Sequence, residues 1–127
     1  MTDTSPQKLR ILVVEDDALI RLTTVDMLLD LEHETFEAAT GADALSILEE
    51  KDMDLLITDV GLSELSGVDV ALAAVRRNPE MAVIFATGHS SVDGQKEHDE
   101  LRGAVLLPKP FDMDALAAAI VQSTGAG

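Results

Sequence analysis

The sequence predicts an α/β fold: a doubly wound, five-stranded parallel sheet in the order 2-1-3-4-5, with helices on both faces. Three observations predict it. Short apolar runs alternate along the chain with segments of helical period. The first of these runs, residues 9–14, is almost continuously apolar and rich in β-branched residues, as a strand buried on both faces requires. Crossovers between parallel strands are right-handed, which leaves this order as the doubly wound solution for a chain of 127 residues.

The elements follow in order. Leu9-Arg10-Ile11-Leu12-Val13-Val14 is the first strand, stopped by acids. Residues 17–31 then turn helical, with Ala18, Leu22, Val25 and Leu29 on one stripe. A second strand is expected over 35–39 and a helix over 41–51 with Ala44, Leu45 and Leu48 inward. A third strand covers 54–58. The next helix, 68–78, ends before Pro79, because a residue preceding proline disfavours the α region. A fourth strand spans 81–86 and a fifth 104–107. Asp112 caps a last helix through about Gln122, with Leu116, Ala119 and Ile120 on one stripe. Between them, 88–102 carries Gly88, Ser90, Ser91, Gly94 and thinly spaced apolar residues. It is expected to form a short or irregular helix of raised mobility. Residues 1–8 read as a flexible leader, 9–123 as one domain and 124–127 as a tail, with no output domain.

Composition excludes several classes. Nine Lys and Arg stand against 24 Asp and Glu, a net charge of −15 and a pI near 4.2. That balance argues against gripping nucleic-acid phosphates or an anionic membrane. Hydrophobic residues make up 46% of the chain, enough for a core, so the acidity does not imply disorder. There is no Cys, hence no disulfide, thiolate metal site or cysteine nucleophile. Without an apolar run of ~18 residues or a signal-peptide core, the chain is expected to be cytoplasmic. With no Trp or Tyr and three Phe, packing falls to Leu, Val, Ile, Ala and Met.

In an open parallel sheet, ligands collect at the carboxyl ends of the strands, where the strand order reverses. Here those ends carry Glu15-Asp16-Asp17, Thr58-Asp59, Thr87-Gly88 and Pro108-Lys109-Pro110. Two unit charges 4 Å apart repel by ~4 kcal/mol at an effective dielectric near 20. Clustered carboxylates therefore need a cation or raised pKa values. Hard oxygen donors suit Mg²⁺, which usually also holds a phosphate. A carboxylate can itself be the nucleophile and become an acyl phosphate. The residues thus point to Mg²⁺-assisted phosphoryl transfer onto an Asp.

The chain resembles a receiver domain of two-component response regulators, of flavodoxin-like fold, from about Lys8 to Gln122. The resemblance rests on Ile11-Leu12-Val13-Val14-Glu15-Asp16-Asp17, Leu56-Ile57-Thr58-Asp59, Gly67, Thr87 and Lys109-Pro110-Phe111. It implies that Asp59 is the phosphoacceptor, that Asp16 binds Mg²⁺ directly, and that Glu15 acts partly through water. The backbone carbonyl of Gly61 completes the protein ligands, Thr87 bonds a phosphoryl oxygen, and Lys109 pairs with the phosphoryl charge. A cis peptide bond at Lys109-Pro110 is implied as well. Phe85-Ala86-Thr87-Gly88 resembles a subgroup of single-domain receivers that work with HWE or HisKA2-type histidine kinases. The implied partners are such a sensor kinase or a histidine phosphotransfer protein, plus a downstream protein. The output is protein binding or draining of phosphate, and the chain would catalyse only its own phosphorylation and dephosphorylation.

Two positions depart from the family pattern. Leu106 stands where receivers usually carry an aromatic switch residue, and Ser63 where the loop after the acceptor usually holds proline. His89, two residues past Thr87, is a candidate for positioning hydrolytic water, and Gly61 leaves the phosphoryl group unshielded. His33 and His98 read as exposed. Phe85 reads as core, and Met27, Met53, Met81 and Met113 as packing residues. The competing classes are a Mg²⁺-dependent aspartyl-nucleophile phosphatase and a non-phosphorylated binding module. The former would place a second Asp where Gly61 stands.

Overall fold

A computed structural model describes residues 8–62, 65–88 and 98–125. It contains the five strands β1 (Arg10–Val14), β2 (Glu34–Ala38), β3 (Leu55–Thr58), β4 (Ala82–Thr87) and β5 (Val105–Pro108). The helices are α1 (Ala18–Asp30), α2 (Gly41–Glu50), α3 (Gly67–Arg77) and α4 (Met113–Thr124), with a 3₁₀ turn at Asp99–Leu101. All strand pairs are parallel and the order is β2-β1-β3-β4-β5, as the sequence predicts.

Strand alternation divides the core into two layers. Leu12, Val14, Leu56, Val83 and Phe85 face α2 and α3, where Ala44, Leu48, Val70, Ala71 and Ala74 close over them. Ile11, Val13, Leu55, Ile57 and Ile84 face the other way, under Val25 and Leu28 of α1 and Leu116, Ala119 and Ile120 of α4. Each α-helix starts on a side-chain cap. Asp17 accepts from the N–H of Leu19 and Ile20, Thr40 from Asp43, and Asp112 from Ala115. Ser66 and Asp69 form a reciprocal capping box on α3.

Several expectations are corrected. On α1 the buried residues are Thr24, Val25 and Leu28, whereas Ala18 is exposed and Leu22 and Leu29 are each 53% exposed. The helix is apolar nearly all round, so its period alone does not choose the buried stripe. Thr24 is tolerated inside because its hydroxyl donates to the Ile20 carbonyl at 2.8 Å. His33 is only 9% exposed, since its ring Nδ1 accepts the N–H of Leu9 at 3.1 Å and closes the entry to β1. His98 is half-buried and Met113 is exposed. Met53, Met81 and Phe85 are core residues as expected. Of the segment expected as an irregular helix, 98–102 holds the 3₁₀ turn; residues 89–97, like Ser63, lie outside the described residues. Leu106 is half-buried, packed on the α2–α3 layer next to Phe85 in the β4–β5 register.

Candidate functional site

The parallel register delivers the acids together. Val14 pairs with Thr58, so the next residue on each strand, Glu15 and Asp59, leaves the sheet at the same edge. Backbone bonds hold both strand ends, the Asp59 N–H donating to the Val14 carbonyl at 3.0 Å and the Glu15 N–H to Ala38 at 3.1 Å. Carboxylate oxygens of Glu15, Asp16 and Asp59 lie within 4.8 Å of one another. Their burial is graded: Glu15 is buried, Asp59 half-buried and Asp16 exposed.

Lys109, at the end of β5, supplies the cation. Its Nζ donates to Glu15 Oε2 at 2.7 Å and stands 3.4 Å from Asp59 Oδ2. The Lys109 N–H also bonds the Thr87 carbonyl at 2.9 Å, which ties β5's end to β4's. The Lys109-Pro110 bond is cis. Burial pulls the Lys109 pKa down, yet the bond to Glu15 and the charges of Asp59 and Glu15 outweigh it and leave it above its ordinary value. Burial raises the Glu15 carboxyl above the usual range, opposed by Lys109 and by the Asp17 N–H donating to Oε1 at 3.1 Å. Glu15 and Lys109 are therefore a mutually dependent pair, each shielded from water.

Asp59 is held from three sides. Its Oδ1 accepts a long bond from the Gly61 N–H at 3.4 Å, and its carbonyl accepts from the Thr58 hydroxyl at 2.9 Å. The first residue of α3 presses on that same carbonyl. A Cβ built on Gly67 would overlap the Asp59 carbonyl oxygen and stand 2.8 Å from its carbon, so only glycine seats the helix this close. Thr87 is buried at the end of β4. Of the residues singled out in the sequence, Glu15, Asp16, Asp59 and Lys109 converge, and Gly61 is bonded to Asp59. His89 lies outside the described residues.

Arg21 was not singled out. Its Nη1 donates to the Glu15 carbonyl at 2.8 Å. The available signal was position, since Arg21 follows the N-cap Asp17 by one turn and helical side chains lean back toward the N-terminus.

The donor set is oxygen throughout, the chemistry that Mg²⁺ prefers. The model for the response regulator receiver domain matches residues 11–121. The chain belongs to this family. Among its relatives is the response regulator receiver protein CpdR of Brucella abortus, 33% identical over 104 residues, covering 82% of this chain and 87% of CpdR. Sporulation initiation phosphotransferase F of Bacillus subtilis is 28% identical over 111 residues, covering 87% and 90%. A receiver domain structure from Clostridium thermocellum superposes with a TM-score of 0.80 at 29% identity, covering 91% of this chain and 94% of that one. The chemotaxis protein CheY4 of Vibrio cholerae, with a TM-score of 0.82 at 23% identity over 92% and 99%, shares the fold. No helix among the described residues is long and apolar enough to cross a membrane.

Proposed function

We propose that this receiver accepts a phosphoryl group on Asp59 from a phosphohistidine of a sensor kinase or phosphotransfer protein. The observation that carries the reading is Lys109 Nζ reaching both Glu15 and Asp59 above a cluster of three carboxylates. Glu15, Asp16 and Asp59, with the Gly61 carbonyl, would hold Mg²⁺. Bound there, it supplies positive charge to the equatorial phosphoryl oxygens. An Asp59 oxygen forms the new O–P bond as the P–N bond to imidazole breaks, and the imidazole nitrogen keeps the bonding pair and takes up a proton. Lys109 shifts from Asp59 to the new phosphoryl oxygens, and the Thr87 hydroxyl bonds one of them. Hydrolysis returns the carboxylate and inorganic phosphate. Gly61 offers no side chain to slow the approach of water, which suits a phosphate sink as much as a switch. The chain catalyses only these two steps on itself.

The donor's footing is the apolar groove beside Lys109, a cavity of about 440 Å³ lined by Leu19, Ile20, Met27, Pro110 and Phe111. Its continuity with Lys109 puts a partner seated there within reach of Asp59. Support for a single-domain receiver comes from CpdR and phosphotransferase F, both spanned over most of their length. Residues 9–123 form the phosphoacceptor domain, and Phe85-Ala86-Thr87-Gly88 favours a kinase of the HWE or HisKA2 type.

The test is labelling with phosphoramidate and Mg²⁺, with Asp59→Asn as the blank, followed by transfer from a panel of histidine kinases. The expected result is one phosphoryl group per chain, absent in the Asn variant and delivered fastest by a kinase of the named type. Absence of labelling favours the pure binding module. Turnover of a generic phosphomonoester favours the phosphatase.

A further inference from the structure

Arg21 lies outside the acid cluster, yet its guanidinium reaches back over the end of β1. Nη1 donates to the Glu15 carbonyl at 2.8 Å, while Nε meets Glu37 Oε1 at 3.3 Å. That carbonyl is the first beyond the ladder. The preceding one, on Val14, is taken by the Asp59 N–H, and the Glu15 N–H is taken by Ala38. Arg21 therefore fixes the peptide plane between Glu15 and Asp16.

This plane matters because the three acids are not held alike. Glu15 is gripped by Lys109 and the Asp17 N–H, and Asp59 by Lys109 and the Gly61 N–H. The Asp16 carboxylate makes no hydrogen bond or ion pair among the described residues. Its direction is set by its backbone, and Arg21 holds that backbone. Resting on the reading above, in which Asp16 is a direct Mg²⁺ ligand, we infer that Arg21 is the positioning residue that sets Asp16 for the metal. Glu37 fixes the rotation of the guanidinium from the far side.

The test is calorimetric titration of the full chain with Mg²⁺, with a thermal melt of each variant. Removing an outer-shell partner typically weakens metal binding 10–100-fold, so Arg21→Ala is expected to melt cooperatively and to raise the Mg²⁺ Kd about tenfold. Saturating Mg²⁺ restores its labelling rate, a split that loss of general stability would not give. Arg21→Lys recovers part of the affinity, since an ammonium still donates to the carbonyl. Glu37→Gln stays within about twofold, because the carbonyl bond survives. A folded Arg21→Ala whose Kd lies within twofold of the wild type overturns the inference. An equal loss in Glu37→Gln also overturns it, by assigning the effect to the ion pair. If Arg21→Ala has no cooperative melt, Arg21→Gln takes its place with the same two outcomes. Wild type that binds Mg²⁺ but is not labelled removes the phosphoacceptor reading alone, whereas unchanged Mg²⁺ binding in the Arg21 variants removes this inference alone.

Discussion

Replacing Gly67 by Ala measures how closely α3 is seated on the acceptor. In an ordinary helix the change would stabilise by about 1 kcal/mol, because glycine loses more backbone freedom on folding. Here the new Cβ would overlap the Asp59 carbonyl oxygen and stand 2.8 Å from its carbon and 3.0 Å from Val60 Cα. All three atoms are backbone, so no rotamer change relieves them. Ordinary contact needs roughly 3.5 Å, and either the first turn of α3 or the Asp59–Val60 peptide must retreat. Overpacking of this kind costs about 1–3 kcal/mol and outweighs the propensity gain. The difference is a net loss of up to about 2 kcal/mol, a Tm lower by roughly 5 °C at this chain length. The retreat also moves the acceptor, and misplacement by about 1 Å can slow a positioned reaction up to ~100-fold. Urea unfolding and phosphoramidate labelling read the two effects. Gly103→Ala is the control, as a Cβ there meets nothing within 4 Å and the residue takes no part in the site. A Gly67→Ala variant as stable as the wild type and labelled within twofold of its rate would refute the reasoning.

Three further outcomes are expected. Lys109→Met leaves Glu15 and Asp59 without their shared cation, at distances of 2.7 and 3.4 Å in the wild type. Breaking a buried pair costs about 3–5 kcal/mol, reduced by the partial exposure of Lys109 to roughly 1–2 kcal/mol; urea melts measure it, and labelling slows at least ~100-fold. Burial depresses the His33 pKa below 6.5, so the unfolded chain takes up its proton first; stability is full above that pH and falls as the pH drops below it. Melts at two pH values either side of the usual histidine pKa should show the loss, and His33→Gln should lessen it. Leu19→Glu places a charge in the proposed donor groove, which Leu19 lines while staying exposed on α1. Kinase transfer is expected to drop about tenfold, the factor given by a loss of ~1.4 kcal/mol of binding, while phosphoramidate labelling stays at the wild-type rate.

The sheet was legible because four apolar runs, each too short for a helix, end in acids, Thr or Lys at the same edge, with the weaker second strand, Glu34–Ala38, completing the alternation. The site followed from the sheet, since parallel register puts Glu15 beside Asp59 once β1 and β3 are adjacent. What escaped were features set by tertiary contact. The buried stripe of α1 was hidden because apolar residues spread nearly all round the helix. His33 became a core residue only because the Leu9 N–H needs an acceptor at 3.1 Å. Arg21 goes unmarked in the sequence because its partner is a backbone carbonyl, which carries no side-chain signature. Gly67 could be matched by pattern, whereas its reason, a helix pressed on a carbonyl, required coordinates.

The leucines on the outside of α1 contribute nothing to either core layer. Their identities are therefore free to drift without endangering folding, so this strip can evolve quickly between paralogues while the carboxylates stay fixed. Insulated signalling pairs within one cell could be built the same way, by exchanging Leu19, Leu22 and Leu29 for side chains that admit one kinase and repel its siblings.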